Sequence, residues 1–307
     1  MSESSNKSCL DTRNEVSEGE TMRTLMIMGL CFVVAGVVCS PAYGEEESEE
    51  ELLRAGRDPV AEDSEGQLAR AAQNPIAELI SVPFQNNMNF NVGPDDSIQN
   101  ILNIQPVVPF SITKDWNLIT RTIMPLVWQP EFIPGQGRTF GLGDIVFTGF
   151  FSPDKPSKYI WGVGPALLFP SATDDMLGTG KWGAGPSAVV VGMDGPWVYG
   201  LLISNIWSFA GSDSRRDVNL MTIQYFVNYN LSNGWYLVSA PLISANWEAD
   251  SGEKWTLPFG AGAGKIIKIR KLPLNCTVQG YYNVEKPTQA GNWQLRAVVT
   301  FLFPKGM

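Results

Sequence analysis

The sequence predicts an all-β protein, a transmembrane antiparallel up-and-down β-barrel of outer-membrane type with about twelve strands. Three observations lead there. Apolar and polar residues alternate with period two over most of the chain after residue 75. Tight turns alternate with longer polar loops between those segments. All ten tryptophans fall near the ends of the segments rather than at their centres.

Alternation is clearest in two stretches. Met221, Ile223, Tyr225, Val227, Tyr229 and Leu231 share one face, opposite Leu220, Thr222, Gln224, Phe226, Asn228 and Asn230. Leu274, Cys276, Val278, Tyr282 and Val284 likewise oppose Asn275, Thr277, Gln279, Tyr281 and Asn283. Twelve segments are delimited by turn residues. The first six are Glu78–Asn91, Gln99–Ile112, Trp116–Gln129, Phe140–Phe151, Tyr159–Ser171 and Trp182–Gly192. The second six are Pro196–Phe209, Val218–Leu231, Trp235–Glu248, Lys254–Lys268, Leu272–Val284 and Trp293–Phe303. Connections after even-numbered segments are mostly tight, as in Met193-Asp194-Gly195 and Ser232-Asn233-Gly234. Those after odd-numbered segments are mostly longer, as in Glu131 to Thr139 and Ala172 to Lys181. Short turns on one side and long loops on the other suit an outer-membrane barrel.

The tryptophans fix the span. Trp116, Trp161, Trp197 and Trp235 lie on the short-turn side, and Trp128, Trp182, Trp207, Trp247, Trp255 and Trp293 on the long-loop side. Trp116 with Trp128, Trp197 with Trp207 and Trp235 with Trp247 share strands at even separations, so each pair points to one face. A separation of about 10–12 residues at ~3.4 Å each, tilted by ~40°, rises roughly 26–31 Å, the height of a lipid-facing band with an aromatic girdle at each edge. The closing segment, with Trp293, Leu295, Ala297, Val299, Phe301 and Phe303 on one face, has the apolar, phenylalanine-ended form that barrel-assembly machinery engages, although Pro304 to Met307 extend past it.

Ahead of the barrel, Met22-Arg23, an uncharged apolar run from Leu25 to Val38 and small residues at Ala42 and Gly44 read as a signal peptide over residues 22–44, cleaved near Gly44. The domain plan is therefore a leader over 1–44, an acidic tail with a short helix over 45–74, and a barrel over 75–307. Glu45 to Glu65 carry ten acids against Arg54 and Arg57, and a solvated tail is the simplest reading. Ser64-Glu65-Gly66-Gln67 has capping-box spacing ahead of a helix from Leu68 to Gln73, which ends near Asn74-Pro75. Whether tail or helix enters the lumen is open at this level.

Composition excludes several functions. The chain of 307 residues has no histidine, so Ser-His-Asp and Cys-His catalysis, and metal sites built on imidazole, are out. The net charge is −9, but from Gly66 onward 17 bases nearly balance 16 acids, and no basic stripe exists to meet nucleic acid. Cys9, Cys31 and Cys39 lie in the leader, which leaves Cys276 without a pairing partner. Gly178-Thr179-Gly180-Lys181 lacks the spacing and helix of a phosphate loop. No enzyme, metal site or cofactor is expected.

If the tryptophan parity faces lipid, the opposite parity lines the lumen. Arg121, Asp144 and Arg296 are the ionisable candidates there, either as a weak selectivity constriction or as an internal salt bridge that only holds the barrel together. Gly260, Gly262 and Gly264 are expected to leave space along one wall. Eight prolines fall inside the segments, and bulges near the rims are the simplest reading.

Several stretches also resemble a known group. These are Asn74-Pro75-Ile76-Ala77, Ser81-Val82-Pro83-Phe84-Gln85-Asn86-Asn87, Asn103-Ile104-Gln105-Pro106-Val107-Val108-Pro109-Phe110, Gly141-Leu142-Gly143-Asp144 and Thr300-Phe301-Leu302-Phe303-Pro304-Lys305. In this order they are similar to the bacterial outer-membrane proteins often labelled "neuromedin U" and grouped with transporters of phenol meta-cleavage pathways. The resemblance covers about Ala69 to Lys305. It implies a Gram-negative, porin-like outer-membrane transporter for small solutes, apolar or aromatic ones included, and brings no site residues. The alternative is a barrel that conducts nothing and serves as a structural or interaction module. Expected partners are outer-membrane lipid, the assembly machinery and an unidentified small solute, with no nucleic acid.

Overall fold

The computed structural model describes residues 68–303 other than 78, 134, 155–157 and 271. The leader and most of the acidic tail, with the proposed cleavage point and capping box, lie outside the described residues.

Alternating sequence gives strands because each strand can place its apolar side chains on one face and its polar ones on the other. The segments in chain order are β1 (Ile80–Val92), β2 (Ser97–Ile104), β3 (Val107–Ser111), β4 (Trp116–Gln129), β5 (Thr139–Leu142), β6 (Ile145–Pro153), β7 (Tyr159–Phe169) and β8 (Lys181–Asp194). They continue with β9 (Trp197–Gly211), β10 (Asn219–Asn230), β11 (Trp235–Ser239), β12 (Leu242–Asn246), β13 (Trp255–Ile269), β14 (Leu272–Glu285) and β15 (Trp293–Phe303). β2 with β3, β5 with β6, and β11 with β12 each form one interrupted stave, so the wall is a closed antiparallel barrel of twelve staves. Closure runs through β1 and β15, paired from Ile80↔Phe303 to Phe90↔Trp293. A closed ladder leaves no open edge among these strands, which a wall facing hydrocarbon requires.

The three interruptions follow from proline chemistry, because proline has no N–H to give the ladder. Pro106 separates β2 from β3 and Pro241 separates β11 from β12, while Gly143, opposite Pro125, precedes the β5–β6 break. At two of the breaks side chains take over backbone groups. Tyr281 Oη accepts from Ala240 N at 3.1 Å, and Ser171 Oγ accepts from Ile145 N at 2.9 Å. This corrects the expectation of rim bulges. Pro258 does sit at a register shift near a strand end, but Pro106 and Pro241 break the wall in mid-stave.

The outer surface carries the apolar parity, including exposed Leu201, Val227, Leu237 and Phe259. Its tryptophans form two levels: Trp116 packs edge-on against Trp161 with ring centroids 6.1 Å apart on the short-turn side, and Trp247 against Trp255 at 5.5 Å on the loop side. Inside, the wall is two-faced. Ile119, Phe150, Val189, Val191, Val198, Leu202 and Phe226 form an apolar cluster, whereas β1, β2, β14 and β15 present amides and hydroxyls. The lumen is thus less uniformly polar than period-two alternation suggests.

The short helix spans 68–73, as its sequence predicts, and ends at Asn74, whose side chain accepts from Ile76 N at 3.1 Å. It lies inside the barrel. Ala69 and Leu79 pack on Ile266 of β13 and Leu302 of β15, Ile76 joins the apolar lumen cluster, and Gln73 exchanges hydrogen bonds of 2.8 and 3.2 Å with Asn230. Residues 68–77 and Leu79 therefore fill part of the lumen at the end where both barrel termini lie.

Gly264 does not open space as expected. A Cβ there would stand 2.2 Å from the Tyr236 ring, which crosses the wall to donate to Asn275 Oδ1 at 2.5 Å. The glycine admits a ring rather than solvent.

Candidate functional site: the barrel lumen

Arg121 and Arg296 both point into the lumen, each opposite in parity to the tryptophan on its own strand. Their surroundings differ. Arg296 is 4% exposed, and its three nitrogens are all used: Nε donates to Asn87 Oδ1 (3.0 Å), Nη1 to Ala240 O (2.8 Å) and Nη2 to Gln294 Oε1 (3.0 Å). Its guanidinium also stacks 4.9 Å from the Tyr281 ring centroid. Arg296 thereby ties β15 to β1 and to the β11–β12 interruption. Arg121 donates to Gln105 Oε1 at 2.6 Å and remains partly open to a lumen cavity of about 200 Å³.

Asp144 joins neither arginine. It sits in the β5–β6 interruption, toward the long-loop end, where Oδ2 accepts from Thr179 N (2.6 Å) and Thr179 Oγ1 (2.7 Å) and Oδ1 accepts from Ala172 N (3.3 Å). It pins the 170–180 loop, and the structure forms no Arg–Asp144 pair of the kind the salt-bridge alternative needs. Arg215 grips the same loop from the 212–218 side, donating to Asp175 O at 2.7 Å and also to Gly178 O. Beside it, Lys181 pairs with Asp217 at 3.0 Å. Hydrogen bonds from Lys181, then from Ser208, hold the Asp217 carboxyl below its ordinary range. Farther around the rim, Glu253 accepts from Thr288 Oγ1 (2.5 Å) and Thr288 N (2.7 Å), which lowers its carboxyl in the same way.

Sequence reading missed the chain of amides that leads to Arg296. Gln99 donates to Gln129 (2.6 Å), Asn89 to Gln99 (2.8 Å) and Gln294 to Asn89 (2.9 Å), and Arg296 donates to Gln294. All the N–H groups point the same way, so each bond polarises the next. The available signal was that these amides all occupy the lumen parity of adjoining strands. Among the described residues no three acids or thiols gather into a metal site.

Compared with solved structures, the chain is similar to an outer-membrane channel from Pseudomonas putida F1, with a TM-score of 0.56 and 19% identity over 73% of this chain and 94% of that one. The fold is that of an outer-membrane β-barrel. More distant likenesses include the NanC porin (TM-score 0.46, 9% identity, 73% of this chain and 99% of that one). Another is outer-membrane phospholipase A of Escherichia coli (0.39, 12%, 77% and 97%). No family model and no curated protein matches the chain.

Proposed function

We propose that the chain is an outer-membrane channel for small solutes, apolar or aromatic ones included, held closed at one end by residues 68–79. The observation that carries this reading is the two-faced lumen, with an amide lane and a cationic group on one side and Leu202, Phe226 and Val189 on the other, behind a segment that precedes the first strand. A purely structural barrel would be expected to fill its interior with wall side chains; here part of the filling comes from a separate stretch of chain ahead of β1. On this reading the two levels of tryptophan are the membrane-interface girdles, and the chain reaches the outer membrane through its signal peptide and the assembly machinery of a Gram-negative cell. It belongs with the phenol meta-pathway transporters that its motifs resemble.

The inserted segment also favours the second reading, a barrel that conducts nothing. Planar-bilayer recording separates them. A channel gives discrete steps that grow when residues 45–79 are deleted, whereas a structural barrel stays silent in both forms while still showing a heat-dependent gel shift.

A further inference from the structure

Arg121 is a cation set deep in a barrel whose strands, among the described residues, bring it no carboxylate. The fifteen strand segments contain two carboxylates, Asp194 and Glu285, and each is the last residue of its strand. Asp144 is committed to the 170–180 loop. A guanidinium offers five N–H donors, and the hydrogen bond Arg121 makes among the described residues goes to a neutral amide, Gln105. Removing a cation from water is costly unless an anion pairs with it. Arg296 itself donates from each of its three nitrogens, to Asn87, Ala240 and Gln294, and is held in that position.

The cavity that Arg121 faces has a matching second half. Gln105 bonds the guanidinium and Gln85 also lines the cavity, while Val107, Leu202 and Phe226 supply apolar wall, and Leu79 of the inserted segment borders it. A volume near 200 Å³ suits a single ring better than a drug-sized ligand, whose pockets start at about 300 Å³.

We propose that this cavity is a binding site for a small organic carboxylate with an apolar body, its carboxylate paired side-on with Arg121 and its body set against Leu202 and Phe226. Guanidinium and carboxylate match as two parallel N–H···O bonds, which neither chloride nor a neutral alcohol reproduces. The channel reading enters only as the route by which the solute arrives. Binding to the detergent-purified barrel therefore tests the site whether or not the barrel conducts.

The experiment is calorimetric titration of the full protein, purified from outer membranes, with benzoate, benzyl alcohol and chloride. Benzoate should bind at least 10-fold more tightly than benzyl alcohol, and equimolar chloride should not displace it. Arg121→Gln should weaken benzoate at least 10-fold. Gln105→Glu, which gives the guanidinium an internal carboxylate, should do the same in a barrel that keeps its heat-dependent gel shift, so the test survives if Arg121→Gln does not fold. Equal binding of benzoate and benzyl alcohol, no benzoate binding to the folded protein, unchanged affinity in Gln105→Glu, or displacement by equimolar chloride would each overturn the proposal. Intact benzoate binding with silent bilayers would support the site and remove the channel.

Discussion

Arg121 and Arg296 sit on the same face of the same wall, yet only one of them is finished. Arg296 spends its nitrogens on Asn87, Ala240 and Gln294 and is covered by Tyr281. Arg121 has Gln105 and an open cavity. The difference teaches how to read buried charge in a barrel lumen. A cation tied down through each of its nitrogens braces the wall, particularly where proline has interrupted a stave and left Ala240 O to be satisfied. A cation with donors to spare is available to solutes.

The largest effect should come from breaking the brace. Arg296→Leu leaves the oxygens of Asn87, Gln294 and Ala240 without their donor and should cost on the order of 3 kcal/mol of barrel stability, read as a lower urea midpoint of the gel-shifted form. Arg121→Gln should cost about 1 kcal/mol or less by the same assay. Equal losses in the two variants would erase the distinction. In conductance the order should reverse: Arg121→Gln shifts the reversal potential in a salt gradient toward cations, by more than any Arg296 variant that still folds.

A smaller effect belongs to Asp144. Asp144→Asn removes the charge that accepts from Thr179 and should speed amide exchange in the 170–180 loop several-fold while leaving the reversal potential unchanged. A changed reversal potential would return Asp144 to the selectivity site. The smallest effect is at Glu253. Its folded carboxyl lies below the ordinary value, so its contribution is fully present above that value and is lost as pH falls through the lowered one. Amide exchange at the 286–292 loop should thus rise only below the ordinary glutamate range, and Thr288→Val should produce the same rise at neutral pH. A transition near pH 6 would assign the latch to another group.

The sequence made the wall readable and the lumen only partly so. Period-two alternation and turn residues located every stave, and the predicted ends of Trp116–Gln129 and Trp293–Phe303 coincide with β4 and β15. Such patterns are local in the chain. The contacts of the lumen are not: Arg296 meets Asn87 across 209 positions, and Gln73 meets Asn230 across 157. Parity could point Arg121 and Arg296 inward, but it carries no height or partner, so Asp144 was grouped with them although the Gly143-Asp144 break sets it against Thr179. Pro106 and Pro241 stand out in the sequence as anomalies, yet only the structure reveals that Arg296 takes up Ala240 O while Thr122 N takes up Pro106 O.

One measurement bears most directly on the central claim that the lumen is a solute path closed by its own N-terminal segment. It is planar-bilayer recording of the chain from Glu45 beside the same chain lacking residues 45–79, both verified by gel shift. Small or rare openings are expected in the first and larger, frequent steps in the second, with anion preference in both. A folded deletion variant that never conducts would contradict it.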